Sequence, residues 1–235
     1  IQAVVSPEKR AGLGMHYTSV PNIMKLIRPL FLDDLYEEFN VAKTTKDIKR
    51  LRKLLFRLGE IKFFDPACGS GNFLIVSYKC LRELEIQIWT VLRDLGDPEL
   101  PISNINLRQF YGIEIDDFAC DTATLSLWLA EHQMNIKFES VFEVRPNALP
   151  LQPSGHIVCG NACRLDWNVV CPHTAEEEVY VMGNPPYLGA RLQSDEQKED
   201  MQYAMHQHLA YNNLDYIATW FYKGSMYIKN SKSRL

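Results

Sequence analysis

The sequence predicts an α/β protein in which a Rossmann-like, doubly wound and mostly parallel sheet is preceded by an N-terminal helical segment. Short runs rich in β-branched and aromatic residues alternate with long helical patterns, which favours a parallel sheet covered by helices on both faces. Only about four strand-like runs occur, so we expect the sheet to be incomplete within these 235 residues. We divide the chain into an N-terminal helical segment, 1–59, and an α/β core, 60–235.

The N-terminal segment contains two helical patterns, one over residues 18–39 and one from a threonine at 44 or 45 to about 58. A hydroxyl residue at the start of each pattern is typical of a helix N-cap. Pro29 lies inside the first pattern and should kink or divide that helix, because proline lacks the backbone donor. Gly59 is expected to end the second helix.

The elements of the core follow in alternation along the chain. Strands are predicted at 61–64, 109–115, 156–159 and 178–182. Helices are predicted at about 71–95, 117–134, 194–208 and 213–229. A polar, proline-containing loop at 96–107 separates the first core helix from the second strand.

Composition places the chain among soluble globular proteins, with 46% hydrophobic and 23% charged residues. No run approaches 18 consecutive apolar residues, so the sequence predicts no membrane span and no membrane partner. The 25 basic and 29 acidic residues give a net charge of −4. That balance argues against a domain that coats nucleic acid non-specifically, but it permits local basic patches.

The chain begins at Ile1 with neither methionine nor a signal peptide, and we expect it to be a fragment of a longer protein. None of the six cysteines forms a C-x-x-C pair, and most lie in apolar segments, which suits buried thiols in a reducing cytoplasm. The spacing of Cys159, Cys163, Cys171 and His173 matches no standard zinc pattern, so we predict no metal site.

One basic cluster begins just before the second predicted helix and continues along it. Its members are Lys43, Lys46, Lys49, Arg50, Arg52, Lys53 and Arg57. Apolar residues recur between them at helical spacing, so the favoured interpretation is the solvated face of an amphipathic helix. Contact with phosphate is the alternative.

A glycine-containing run links the first strand to the first long core helix. The run reads Asp65-Pro66-Ala67-Cys68-Gly69-Ser70-Gly71-Asn72-Phe73. Glycines at such a turn let a ligand approach the backbone, and the helix N-terminus offers free amides. The third glycine of the dinucleotide fingerprint is absent, with Leu74 in its place. Asp65 would repel a pyrophosphate, but it suits a ligand that carries an ammonium group.

The second strand ends in a pair of acidic residues, Glu114 and Asp116, on either side of Ile115. A carboxylate at this position binds ribose hydroxyls in many α/β folds. Its distance from the glycines is longer than usual, which the 96–107 loop explains. Taken alone, the two acids could simply cap a helix. Together with the glycine run they predict a site for a nucleoside-type cofactor.

The fourth strand is followed by Gly183 and the tetrapeptide Asn184-Pro185-Pro186-Tyr187. Two consecutive prolines cannot continue a sheet ladder, so the chain leaves the strand in a stiff, extended form. That stiffness orients the Asn184 amide and the adjacent carbonyl as two acceptors beside the ring of Tyr187. The arrangement can hold a planar ring that bears an NH₂ group. An Asx turn in an ordinary loop is the structural alternative.

These residues resemble a known family. Asp65–Phe73 resembles the cofactor loop of class I S-adenosylmethionine-dependent methyltransferases, and Asn184–Tyr187 resembles the catalytic motif of DNA methyltransferases that act mainly on adenine N6. The run His16-Tyr17-Thr18 resembles the extra cofactor-contact motif of the γ-type order. Wider segments are similar to the MmeI-like restriction–modification enzymes, namely Met15–Leu35, Tyr111–Asp116, 160–162, 166–167 and Leu214–Trp220.

The resemblance implies S-adenosylmethionine as the cofactor. Asp65 would pair with its amino group, Glu114 would bind the ribose hydroxyls, and Asn161 would bond the exocyclic amine of an adenine that packs on Ile115. Tyr17 and Thr18 would close the pocket. The full set of cofactor-binding residues implied is Tyr17, Thr18, Asp65, Pro66, Ala67, Cys68, Gly69, Gly71, Asn72, Phe73, Glu114, Ile115, Asn161 and Ala162.

The substrate implied is an adenine flipped out of double-stranded DNA, since a base inside the duplex cannot be reached. The catalytic residues implied are Asn184, Pro185, Pro186 and Tyr187. The Asn184 side-chain oxygen and the Pro185 carbonyl would accept hydrogen bonds from the target amine, and Tyr187 would stack on the base. A target-recognition domain and often a nuclease domain accompany this region in the family.

Two other functions share these motifs. Enzymes that methylate an RNA base or a protein glutamine amide also present two acceptors to a planar NH₂ group, but no peptide groove is recognisable after Tyr187. A non-catalytic DNA-recognition module could keep the fold without the chemistry. The presence of both Asp65 and the intact run Asn184–Tyr187 argues against that alternative.

Overall fold

The computed structural model describes residues 18–144, 156–205, 211–229 and 231–235. Its four strands are β1 (Lys62–Asp65), β2 (Phe110–Glu114), β3 (His156–Cys159) and β4 (Val179–Val181). Its helices are α1 (Val20–Ile27), α2 (Asp33–Thr44), α3 (Ile48–Glu60), α4 (Asn72–Asp94), α5 (Asp117–Phe142), α6 (Trp167–Val170), α7 (Asp195–Met205) and α8 (Ala218–Tyr227). Among these described helices, none has the length and apolar character that a bilayer crossing requires.

The strands form one parallel sheet in the order β3-β2-β1-β4. Asp65 lies opposite Gly112, and Glu114 lies opposite Cys159, so the carboxyl ends of β1, β2 and β3 meet at one edge. On the outer side of β4, Arg234 makes a parallel bridge to Tyr180. The predicted α/β class with a parallel, incompletely built sheet is confirmed.

Helices cover both faces of the sheet because side chains alternate along each strand. Phe63 of β1 packs with α1 to α5 in a large apolar core, whereas Phe64 faces a second core formed with α6, α7 and α8. The N-terminal helices therefore share a core with the sheet. The boundary between residues 59 and 60 stays a prediction.

Pro29 divides the first predicted helix as expected. A π-helical turn over Arg28–Leu32 separates α1 from α2, since the proline ring cannot donate to the preceding turn. The predicted end at residue 39 was wrong, because α2 continues to Thr44. Its buried residues Phe39 and Ala42 extend the apolar contact with the core.

The predicted threonine cap of the next helix was also wrong. The hydroxyls of Thr44 and Thr45 donate backwards to carbonyls of α2, at 2.8 and 2.9 Å. Asp47 caps α3 instead, since its Oδ1 accepts from the Arg50 amide at 3.1 Å. Gly59 does not end the helix, which continues to Glu60.

Two later boundaries differ from the prediction. Helix α5 continues to Phe142 rather than 134, because Phe138 carries its buried face one turn further. Helix α8 begins at Ala218 rather than 213, after a 3₁₀ turn at Tyr211–Asn213. The end of the helix predicted at 194–208 lies partly outside the described residues.

Two arginines of the basic cluster, Arg52 and Arg57, form ion pairs. Arg52 contacts Asp97 at 2.6 Å, and Arg57 bridges Glu38 and Glu178 at 2.6 and 2.7 Å. These two side chains therefore tie α3 to the 96–107 loop, to α2 and to the segment before β4. The contacts agree with a structural interpretation of this part of the helix face.

A buried ion pair anchors the long loop. Arg82 and Glu85 of α4 are both about 1% exposed and lie 2.9 Å apart. The Glu85 carboxylate also accepts from the Ser103 hydroxyl at 2.8 Å and from the Asn104 amide at 2.9 Å. The loop is thereby held against α4, which fixes the entry into β2.

Replacing Glu85 by alanine should lower the free energy of unfolding by about 3 kcal/mol, because Arg82 would remain buried without its counter-charge. Urea denaturation monitored by fluorescence measures the change. Glu83→Ala is the matched control on the same helix, since Glu83 pairs with Lys137 at the surface. Its effect should stay within about 0.5 kcal/mol. Equal losses in the two variants would contradict a structural role for the buried pair.

Candidate active site

The turn between β1 and α4 depends on two glycines. Gly69 and Gly71 adopt positive φ values of 53° and 82°, which L-residues with a side chain rarely adopt. A Cβ on Gly71 would also lie 3.2 Å from the Cβ of Ala123 on α5. The Cys68 amide donates to the Ile113 carbonyl of β2 at 3.0 Å. The turn is thus held against β2 and α5, with Asn72 and Phe73 opening α4.

Asp65 ends β1 with its carboxyl group buried, the residue being 1% exposed. Its Oδ1 accepts from the Ala67 amide at 3.0 Å, whereas Oδ2 is buried without a hydrogen-bond partner. Burial raises the pKa of this carboxyl to about 8, and the nearby charge of Glu114 raises it as well. An unpartnered buried acceptor of this kind suits a cationic ligand group.

Gly183 allows the approach of β4 to this carboxyl. A Cβ at Gly183 would overlap Oδ1 of Asp65, so any larger residue must displace one of the two segments. Gly183 also directly precedes Asn184. The close contact between Gly183 and Asp65 therefore brings Asp65 and the tetrapeptide together.

Glu114, at the end of β2, fixes the backbone of the turns that follow β1 and β2. Its Oε2 accepts from the Gly69 amide at 2.9 Å, and its Oε1 accepts from the amides of Ile115 and Asp116 at 2.8 and 3.0 Å. Asp116 is the helix cap, because its side chain accepts from the Ala119 amide at 2.8 Å. The capping alternative thus applies to Asp116, while Glu114 joins the β1 and β2 turns. Ile115 is 58% exposed beside it.

The turn after β3 lies next to Glu114. The Gly160 amide donates to the Glu114 carbonyl at 2.7 Å. Asn161 Oδ1 accepts from the Cys163 amide, and its Nδ2 donates to Asp200, both at 2.8 Å. Ala162 is buried, and its carbonyl accepts from Lys223 Nζ at 2.7 Å. The β3 turn is therefore fixed by side chains of α7 and α8.

The tetrapeptide lies at the solvent edge of the site. Asn184 is exposed, and its Nδ2 lies 3.3 Å from the Thr18 hydroxyl oxygen. The structure thus brings Thr18 and the tetrapeptide together, although Thr18 and Asn184 lie 166 positions apart in the chain. Pro185 and Pro186 are half-buried, and Tyr187 is 60% exposed. Tyr17 lies outside the described residues.

A cavity of about 560 Å³ lies between the glycine-containing run after β1 and the tetrapeptide after β4. Its motif walls come from Asp65, Pro66, Ala67, Gly183, Asn184 and Pro185. Its remaining walls are apolar and come from Leu26, Pro29, Leu30, Trp167, Val181, Met182, Ile217, Trp220, Phe221 and Leu235. Glu114, Ile115 and Asn161 lie outside its lining, further along the same sheet edge. The site therefore has a concave half at β1 and β4, where the cavity lies, and a second half at β2 and β3, outside the cavity.

Sequence analysis did not assign the apolar walls from α1 and α8 to the site. Trp220 is the clearest case, since its indole N–H donates to the Pro66 carbonyl at 3.1 Å and so braces the glycine turn. The sequence offered two signals: the resemblance of Leu214–Trp220 to the MmeI-like enzymes, which assigned Trp220 no role, and a run of aromatic residues on a helix, which is equally typical of a core. Asp200 and Lys223 were missed as well, because each is an isolated charge on an ordinary helix.

Comparison with known proteins gives consistent matches. A family model for the DNA-methyltransferase domain of MmeI matches residues 41–235. The chain is 54% identical over 237 aligned residues to DNA methyltransferase A of Bacillus subtilis strain 168, and the match covers the whole chain and 27% of that protein. It is also similar to the type IIL restriction–modification enzyme MmeI, solved in complex with DNA, with 39% identity and a TM-score of 0.85. That match covers 98% of this chain and 31% of the other.

Substituting Gly183 by alanine should lower the free energy of unfolding by about 1–3 kcal/mol, because the new methyl group overlaps the Asp65 carboxyl. Gly189→Ala is the matched control in the same segment, since a Cβ there meets nothing within 4 Å. Chemical denaturation should place the control within about 0.5 kcal/mol of the parent chain. A Gly183 variant as stable as the control would show that the two segments do not depend on this close approach.

Proposed function

The chain belongs to the family of MmeI DNA-methyltransferase domains, and from that premise we propose that it transfers a methyl group from S-adenosylmethionine to the exocyclic N6 amine of an adenine flipped out of double-stranded DNA. It would form the modification part of a restriction–modification enzyme. The observation that carries the proposal is a single cavity bounded by the buried, unpartnered Asp65 carboxyl and by Asn184. The cavity thus has an acceptor for a cation on one wall and a hydrogen-bonding amide on another.

The residues present fit this cofactor. Asp65 offers an unused buried oxygen to an ammonium group. The backbone from Cys68 to Gly71, at the start of α4, can approach the methionine part because glycine has no side chain there. Glu114 stands at the tip of β2, where ribose hydroxyls are bound in related folds. Ile115 offers an exposed apolar side chain for the adenine ring.

Bound S-adenosylmethionine supplies an electrophilic methyl group. The chain has to position the amine that receives the methyl group. Asn184 is exposed at the cavity wall, and the two prolines after it restrict its backbone. We propose that its side-chain oxygen and the Pro185 carbonyl accept hydrogen bonds from the target NH₂ group. Those bonds draw the nitrogen lone pair out of conjugation with the ring, and Tyr187 stacks on the base.

Catalysis in this scheme rests on positioning and electrostatics, and it needs no covalent enzyme intermediate. The apolar walls from α1 and α8 would make the surroundings of the transferred methyl group less polar than water. No strong general base is required, because the amine proton becomes acidic only after the methyl group has been transferred.

DNA is the partner that the relatives support. The Bacillus protein is named a DNA methyltransferase, and MmeI was solved with DNA. The chain spans 27% and 31% of these two proteins. We propose that sequence recognition belongs to the remaining parts of such a polypeptide, together with any nuclease activity, and that the protein acts in the bacterial cytoplasm.

Asn184→Ala should reduce methyl transfer by about 10²–10³-fold or more, because the variant loses the side-chain acceptor that orients the amine. Transfer of a labelled methyl group to adenine-containing duplex DNA measures the rate, and calorimetry should show unchanged affinity for S-adenosylmethionine. Asn168→Ala is the control, since that exposed side chain contacts only its neighbour Asp166 among the hydrogen bonds described. Wild-type activity in the Asn184 variant would refute the assigned role.

Cofactor affinity should rise about tenfold per pH unit between pH 6 and 7. The Asp65 carboxyl, with a pKa of about 8, is protonated there and must release its proton to pair with an ammonium group. Calorimetry in buffers of different ionisation enthalpy measures the released proton. Asp65→Asn should abolish both the proton release and most of the affinity. Methylthioadenosine, which lacks the ammonium group, is the ligand control and should bind with no such slope.

A further inference from the structure

We propose that Asp200 is a positioning residue that fixes the amide orientation of Asn161, and that it thereby makes the site prefer a nucleoside with a 6-amino purine over one with a 6-oxo purine. The inference rests on the proposed function, because it takes Asn161 as the group that meets the purine edge. It adds a residue of α7 that lies 39 positions away from Asn161 in the chain.

Asp200 is the buried centre of a polar network. The residue is 6% exposed, and three side chains donate to its carboxylate. Arg164 Nε donates to Oδ1 at 2.6 Å, while Tyr216 and Asn161 donate to Oδ2 at 3.0 and 2.8 Å. Burial raises the pKa of Tyr216, so its hydroxyl keeps the proton that it donates. The network joins the β3 turn, α7 and the segment before α8.

The donors in this network determine which way Asn161 faces. The Arg164 guanidinium can only donate, so it holds the Asp200 carboxylate as its acceptor. Because a carboxylate can only accept, the NH₂ end of Asn161 must point to Asp200. The Cys163 amide, 2.8 Å from Oδ1, requires the oxygen end on the other side. A carbonyl oxygen has two lone pairs, and Cys163 uses one of them. The other can accept a hydrogen bond from a ligand.

The position of Asn161 brings this acceptor to the half of the site at β2 and β3, where the proposed function places the nucleoside. Asn161 follows Gly160, whose amide bonds to the Glu114 carbonyl. Lys223 secures the same turn by donating to the carbonyls of Ala162, Cys163 and Leu165, at 2.7, 3.0 and 2.6 Å. The turn is therefore braced from α7 and α8, and its acceptor is held in place before a ligand arrives.

A fixed acceptor discriminates between purines. A 6-amino group donates to it, whereas a 6-oxo group presents a second acceptor and gains no hydrogen bond. A 6-oxo ligand therefore loses the hydrogen bond that the 6-amino ligand makes and sets its own oxygen against that of Asn161. We therefore expect the chain to bind S-adenosylhomocysteine about 10–100-fold more tightly than S-inosylhomocysteine.

Asp200→Asn should reduce this preference. Arg164 still requires an oxygen, so the new amide would turn its NH₂ end towards Asn161. Two NH₂ groups would then face each other, and Asn161 is driven to turn its oxygen away from the ligand. The preference should fall to within about threefold.

A charge swap separates orientation from simple destabilisation. Asn161→Asp alone places two carboxylates in contact and should weaken the binding of both ligands. Adding Asp200→Asn restores a donor facing an acceptor, so the double variant should regain the preference for the 6-amino ligand. Arg164→Met is the matched control, because it removes a contact to Asp200 without altering the polarity that Asn161 meets. It should keep the preference.

Calorimetric titration of each chain with the two homocysteine nucleosides is the test. The predicted pattern is a preference in the parent chain, in Arg164→Met and in the swapped double variant, and its loss in Asp200→Asn. A full preference in Asp200→Asn, or no recovery in the double variant, would overturn the role of Asp200 while leaving the proposed function intact. A parent chain that binds neither nucleoside would overturn the proposed function, and this inference with it.

Discussion

The site depends on a carboxyl group that folding buries without fully satisfying it. Asp65 has one oxygen on the Ala67 amide and another without a partner, and burial raises its pKa to about 8. Two features keep it there: Gly183 leaves no Cβ in its way, and the Trp220 indole donates a hydrogen bond to the adjacent Pro66 carbonyl. Such an arrangement costs stability in the free protein, and a cationic ligand offsets that cost on binding.

Parallel pairing explains why distant motifs meet. All four strands run in one direction, so the turns after β1, β2, β3 and β4 lie at a single edge. At that edge Asp65 and Asn184 line the same cavity, and Glu114 lies beside Gly160. Other contacts come from outside the sheet: Thr18 meets Asn184, and α1, the π-helical turn at Pro29 and α8 supply the apolar cavity walls.

Sequence reasoning could predict the parts whose signals are local. The strand-turn-helix pattern identified Asp65 and the glycines, and two prolines after a strand identified Asn184, because these constraints act within a few residues. It could not decide whether Glu114 or Asp116 caps α5, since both acids precede the helix and only the fold shows which amide each meets. Asp200 gave no signal, because its partners Asn161 and Tyr216 become neighbours only after α7 packs.

Two kinds of buried carboxyl group in this chain point to two kinds of role. Asp200 accepts hydrogen bonds from Arg164, Tyr216 and Asn161, so its charge is already compensated within the chain and it serves to hold Asn161. Asp65 retains an unused oxygen, so its environment becomes favourable only when a donor arrives. A satisfied network is rigid and orients its members, whereas an unsatisfied group is a receptor. This difference separates the positioning residue from the binding residue even though both carboxyl groups are nearly inaccessible to solvent.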